Sequence, residues 1–113
     1  MRTRVGLVIV CVLCLCLLTG DAQQKPIAVT VTAYTYTGRL TSTGLRPRLG
    51  TLAISRDLER TLRFGDRVFL LNSVYTIQDR MNHRWHRRVD IFLPSRSAAR
   101  SFGIQHAILT PLP

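Results

Sequence analysis

Two aspartates, Asp79 and Asp90, stand eleven positions apart at the ends of the stretch QDRMNHRWHRRVD, with Arg80, Arg84, Arg87 and Arg88 between them. The chain has only six acidic side chains among 113 residues, so a pair placed around a basic run calls for a chemical reason. One reason is acid/base work: a carboxyl group delivers a proton near neutral pH when burial or a neighbouring carboxylate raises its pKa. The other is structural, an Arg–Asp lattice that braces two strands and holds both carboxylates ionised. His83 and His86 could add nitrogen ligands for a metal. Their three-residue spacing on a loop is a weak signal, so no metal and no cofactor are expected. Trp85, set among the arginines, is a stacking surface suited to a sugar ring or to single-stranded nucleic acid.

These residues need a scaffold, and the pattern along the chain is mainly β. The alternation of IAVTVTAYTYT (Ile27 to Thr37) is a strand signal, and TLAIS (Thr51 to Ser55) reads as a short strand. The Gly/Pro/Ser/Thr-rich segment GRLTSTGLRPRLG between them reads as a loop. DLERTLR has room for one helical turn, RVFLLN and VYTIQD form two strands split at Asn72-Ser73, and RRVDIFL and HAILTPL complete the set. The one good helix is PSRSAARSFG, with Ser95 at its start and Gly103 to close it in the left-handed conformation. So few strands leave exposed edges unless the sheet closes, which favours a small six-stranded barrel with one short late helix. In RRVDIFL, Val89, Ile91 and Leu93 point one way and Arg88, Asp90 and Phe92 the other. With the aliphatic set in the core, Asp90 faces outward, and the loop after Asp79 has the length to bring both carboxylates to one groove.

The N-terminus belongs to a different class. Arg2 and Arg4 precede an apolar run, Val5 to Leu18, and Gly20 and Ala22 follow as small residues, the pattern of a signal peptide over 1–22. The run is shorter than the roughly 20 residues of a membrane span; the alternative is retention as an anchor. Cys11, Cys14 and Cys16 all lie inside it, and none follows a small residue, which argues against lipid modification. The exported chain then has no cysteine to form a disulfide or act as a nucleophile. Removing Arg2, Arg4 and Asp21 leaves fourteen basic and five acidic side chains, a formal charge of +9, carried almost entirely by arginine. That favours an anionic partner in the periplasm or outside the cell. Residues 23–28 read as a short leader and 29–113 as one domain, a size that buries a single core.

In order, VTAYT, STG, GTLAIS, FGDRVFL, Asp79, RVDIF and AARSFG resemble the 3D (three-aspartate) domain, a family related to the C-terminal part of MltA-type lytic transglycosylases. The resemblance runs over roughly Val29 to Leu112 and implies a double-psi β-barrel that acts on the glycan strands of bacterial peptidoglycan. It makes Asp90 the acid/base and Asp79 its support, with Thr32, Tyr34, Thr43 and Gly44 lining the groove. Trp85 and Arg88 join this set as sugar- and anion-contacting residues. Two positions depart from the family pattern: its first aspartate is Ser55 here, and its glycine-rich loop is Arg80-Met81-Asn82-His83. The expectation is therefore an exported, monomeric cell-wall protein with lytic-transglycosylase-like cleavage. The alternative is a binding module for peptidoglycan or another envelope polyanion without turnover. Nucleic acid is a distant third, since export removes that partner.

Overall fold

The computed structural model describes residues 25–113; the expected signal peptide and the first two leader residues lie outside that range. Six strands form a closed barrel: β1 (Ile27–Tyr34), β2 (Thr51–Ile54), β3 (Arg67–Leu70), β4 (Ser73–Arg80), β5 (Arg88–Phe92) and β6 (Gln105–Pro111). A 3-10 helix, Arg56–Arg60, follows β2, and one α-helix, α1 (Arg96–Phe102), precedes β6. This is the mainly β, six-stranded barrel with a late helix that the sequence predicts. Because β1 starts at Ile27, Ile27 and Ala28 belong to the barrel rather than to a leader.

Around the barrel the strands run in the order β1-β5-β2-β4-β3-β6, and β6 closes onto β1. β1 is parallel to β5 and β2 is parallel to β4, while the other four pairings are antiparallel. Exchanging β1, β2 and β3 for β4, β5 and β6 carries every pairing onto another of the same sense. The barrel is thus built from two crossed halves related by a pseudo-twofold axis, the double-psi arrangement. Closure leaves no free edge, which is how six short strands reach a stable sheet. The aliphatic residue of each alternation turns inward: Val31, Leu52, Ile54, Val68, Leu70, Ile77, Val89 and Leu109 are all fully buried.

Sequence boundaries shift where turns take over. β1 ends at Tyr34 rather than Thr37, since the chain leaves the sheet to form the loop over the barrel end. The β3–β4 turn is Leu71-Asn72 instead of Asn72-Ser73, with φ of 50° and 63° at those two residues. Two positive φ values in a two-residue hairpin turn are the type I′ signature, which Asn-Gly adopts readily and leucine does not. Leu71→Asn therefore raises stability, by about 0.5–1 kcal/mol, because left-handed backbone at leucine costs roughly 1–2 kcal/mol. Thermal unfolding of the barrel with and without the substitution measures this directly. In α1, Ser95 caps the helix by accepting a hydrogen bond from Ala98 N at 3.1 Å. Gly103 ends it with φ of 68° but ψ of −140°, so it takes positive φ without entering the left-handed helical region.

Candidate functional site

β2 is only four residues long, yet it sets the site. Leu52 and Ile54 point into the core, and Ala53 between them faces the opposite side. Ala53 pairs with Asp90 on β5 and, on its other flank, with Asp79 on β4. Directly paired residues share a face, so the two carboxylates stand on either side of one alanine, with Cα atoms roughly 10 Å apart across two strand spacings. The register slips between Leu52 and Ala53: Leu52 pairs with Ile77, but Ala53 pairs with Asp79 rather than Gln78. Strict alternation would put Asp79 on the core side with Ile77. The β-bulge at Gln78 turns it outward, a usual job for a bulge beside a site.

Each carboxylate has its own neighbours. Asp90 pairs with Thr32 of the parallel strand β1, and the Thr32 hydroxyl donates to Asp90 Oδ1 at 3.1 Å. Asp79 Oδ1 accepts from Ser42 N at 2.9 Å, from Ser42 Oγ at 2.8 Å and from Arg80 N at 2.8 Å. That oxygen therefore anchors the loop after β1 onto β4. Thr43 continues the anchor, donating to Gln78 O at 3.0 Å, while Gly44 (φ 83°) makes the turn that lets Thr41 and Leu45 bond each other. Thr43 and Gly44 thus build the loop rather than line the groove, a correction to the expectation from sequence. Ser42, between them, is the residue that reaches a carboxylate.

The groove over Ala53 has a volume of about 280 Å³ and is bordered by Asp79, Asp90, Tyr34, Trp85, Met81 and Asn82, among others. Asn82 shapes its outer wall: its Oδ1 accepts from Arg84 N at 3.0 Å and its carbonyl from Trp85 N at 3.1 Å, a tight turn that presents half-buried Trp85 to the groove. Tyr34 packs edge-on against Phe92, and its buried hydroxyl has no hydrogen-bond partner. Burial raises the Tyr34 pKa, and the charges of Asp79 and Asp90 raise it further, so the phenol stays protonated, a donor without an acceptor at the edge of the groove. A larger hollow of about 420 Å³ lies on the outer face of β1 and β6; its lining includes Arg87 and His106 and has no carboxylate.

The arginines do not brace the aspartates. Among the described residues, the only side-chain ion pair is Arg80 with Glu59, whose Oε1 and Oε2 accept from Arg80 Nε at 3.0 and 3.1 Å. Arg80 also lies over Phe64, its Cζ 5.3 Å from the ring centre. Arg84 and Arg88 stack on Trp85, with Cζ atoms 4.7 and 4.0 Å from the ring centre. Asp57 accepts from Arg87 N at 2.9 Å. The lattice reading is therefore corrected: the 3-10 helix turns Asp57 and Glu59 toward the 80–88 segment, and these acids meet it instead. Freed of direct pairing, Asp90 responds mainly to burial, which raises its pKa. Thr32 and the charge of Arg88 oppose that rise, and Asp79 adds to it.

Ser55 is fully buried and takes no part in the groove. Its amide donates to Arg88 O at 2.8 Å, and its hydroxyl oxygen accepts from Arg88 N at 3.0 Å, which extends the β2–β5 pairing by one residue. Burial raises the pKa of neighbouring Asp57, but the Ser55 hydroxyl and the Arg87 amide outweigh it and hold the group below its ordinary value. Asp57 Oδ1 has no partner of full hydrogen-bond geometry, so the hydroxyl acts on it as a nearby dipole. His83 and His86 are exposed, and among the described residues no group of three or more His, Cys, Asp and Glu gathers as a metal site would require. His106 is exposed on β6, 3.4 Å from the Thr30 hydroxyl.

No family model matches the sequence, and no curated protein is detectably similar to it.

Of the residues singled out from sequence, Asp79, Asp90, Tyr34 and Trp85 border one groove, with Thr32 beneath Asp90 and Arg88 behind Trp85. Sequence reasoning missed Ala53 and Ser42. Ala53 carries no chemical signal, and only the register reveals it as the floor between the acids. Ser42 sits inside the quoted STG motif, where its hydroxyl was the available clue.

Proposed function

We propose that this protein is an exported, 3D-domain-like protein that binds peptidoglycan glycan strands in the groove over Ala53 and cleaves them as a lytic transglycosylase does. One observation carries the reading: Asp90 is half-buried beside Asp79, without a salt bridge, and its pKa is raised. A protonated Asp90 donates its proton to the bridging glycosidic oxygen as the C1–O bond breaks. The resulting carboxylate then takes the proton from the sugar's 6-hydroxyl, whose oxygen bonds to C1 and closes the anhydro ring. No water is consumed, and Asp90 ends protonated as it began. Asp79, on the far side of Ala53, supplies negative charge toward the cationic sugar and helps keep Asp90 protonated. Tyr34 donates a hydrogen bond, and Trp85 offers a ring face for the neighbouring sugar. The basic surface attracts the peptide carboxylates of the wall. The deciding experiment is release of anhydro-muropeptides from isolated sacculi by the purified barrel.

A second reading, binding without turnover, has its own support. The side chains of Arg80, Met81 and Asn82 border the groove where small residues would leave it open, and Ser55 is committed to Arg88. In that case the barrel co-sediments with sacculi and releases nothing.

Asp79→Asn tests the division of labour between the acids. Asparagine keeps an oxygen to accept from Ser42 and Arg80, so the loop stays in place, but the charge that raises the Asp90 pKa is lost. An acid must be protonated to act, so the rate falls as pH rises through the Asp90 pKa. The variant therefore loses activity at lower pH than wild type. A pH profile of kcat/KM checks it; superimposable alkaline limbs would remove Asp79 from this role.

A further inference from the structure

A second surface, on the loop that Asp79 anchors through Ser42, combines exposed aliphatic side chains with unpaired cations. The loop from Thr35 to Gly50 does not hide its leucines: Leu40, Leu45 and Leu49 are 60, 50 and 69% exposed, and Val74 on adjoining β4 is 47% exposed. Leu45, Leu49 and Val74 line one hollow together with Arg46 and Arg48, and no acidic residue borders it. The display is built rather than loose. Thr41 N donates to Leu45 O at 2.8 Å, Leu45 N donates to the Thr41 hydroxyl oxygen at 3.2 Å, and buried Thr41 holds the turn. Arg48 and Thr51 fasten the other end through two hydrogen bonds of 2.9 and 3.0 Å. Arg46 is steered by Tyr36, with its Cζ 4.4 Å from the ring centre.

We infer that this loop docks the barrel on an anionic phospholipid bilayer, with Leu45 and Leu49 entering the headgroup boundary and Arg46 and Arg48 meeting lipid phosphates. Aliphatic tips rimmed by basic side chains are what interfacial binding requires, apolar burial together with attraction to anionic lipid. A hydrophilic polyanion would satisfy the arginines but leave the leucines in water. A second copy of the chain fits poorly, because a twofold contact through this patch sets Arg46 and Arg48 against their own duplicates in a strongly basic domain. The groove over Ala53 and this hollow share no lining residue, so the inference stands whether or not the barrel cleaves glycan.

The barrel over residues 25–113 contains the whole closed sheet and its core, so it is tested by itself, without the apolar N-terminal run. Co-sedimentation compares phosphatidylcholine vesicles with and without phosphatidylglycerol. Wild type partitions onto the anionic vesicles, and added salt weakens the binding. A Leu45→Ser, Leu49→Ser double variant loses at least about tenfold in partition coefficient, with its circular dichroism unchanged, because it removes most of the apolar surface that enters the lipid. Arg46→Gln, Arg48→Gln loses binding to anionic vesicles at low salt. Equal partition of wild type and the leucine variant would overturn the inference, as would no binding to anionic vesicles at all. A wild-type dimer that the leucine variant abolishes, with no vesicle binding by either, would assign the patch to self-association instead.

Discussion

Asp90→Asn lowers the release of anhydro-muropeptides from sacculi by about two to four orders of magnitude, the scale of losing a positioned acid/base group. Its effect on stability runs the other way from that of a broken brace. Burial raises the Asp90 pKa, so the folded state holds its proton more tightly than the unfolded chain does. For such a group, stability is greatest below the ordinary aspartate pKa. It declines as pH rises from that value through the raised one, because the folded chain must then hold a charge it disfavours. Asparagine never ionises, and its oxygen can still accept from Thr32. At neutral pH the variant therefore melts at or above the temperature of wild type, and the two converge in acid. Thermal unfolding at both pH values checks the sign. A drop in melting temperature at neutral pH, together with undiminished wall binding and no wild-type cleavage, would establish Asp90 as a brace and end the enzymatic reading.

Ser55→Ala destabilises the barrel by about 1–3 kcal/mol, although it removes a single oxygen. That oxygen accepts from Arg88 N in a place with no exposure, and an unsatisfied buried amide costs about that much. For a domain of this size each kilocalorie corresponds to roughly 4–8 °C in melting temperature. Part of the loss passes through Asp57, whose pKa is held down against burial by the Ser55 hydroxyl and the Arg87 amide. Stability from a group with a depressed pKa is present above its ordinary value and is lost as pH falls through the folded one. The gap between wild type and variant accordingly narrows in strong acid. A change of a few tenths of a kilocalorie at neutral pH would mean that Arg88 N finds water instead. Groove chemistry is the control: wall binding at low temperature persists, because Ser55 lies outside the groove.

The two effects separate the carboxylates that face the groove from the residues that hold the strands bearing them. Asp90 and Asp79 lie without salt bridges while Glu59 takes Arg80 and Asp57 takes the Arg87 amide. Of the five acids among the described residues, two thus fix the basic segment and Asp66 holds its own turn by accepting from Arg63 N, which leaves two to the groove.

Much of this was legible in the residues themselves. Alternation in RVDIF put Val89 and Ile91 inside and Asp90 outside, because a strand's side chains alternate whatever its neighbours are. Ser95 and Gly103 bounded α1 by cap chemistry that acts over three or four residues. The shortage of strands argued for closure, since open edges cost hydrogen bonds. What tertiary structure alone decided is register. Alternation by itself carries Asp79 to the core side with Ile77, and only the bulge opposite Leu52 and Ala53 turns it to the groove. Which arginine meets which acid was likewise undetermined: Glu59 and Arg80 are distant along the chain and meet because β2 and β4 are parallel neighbours. Local rules set which way a side chain faces along its own strand. Who stands opposite depends on how separate strands slide past one another, and that is set by packing across the whole barrel.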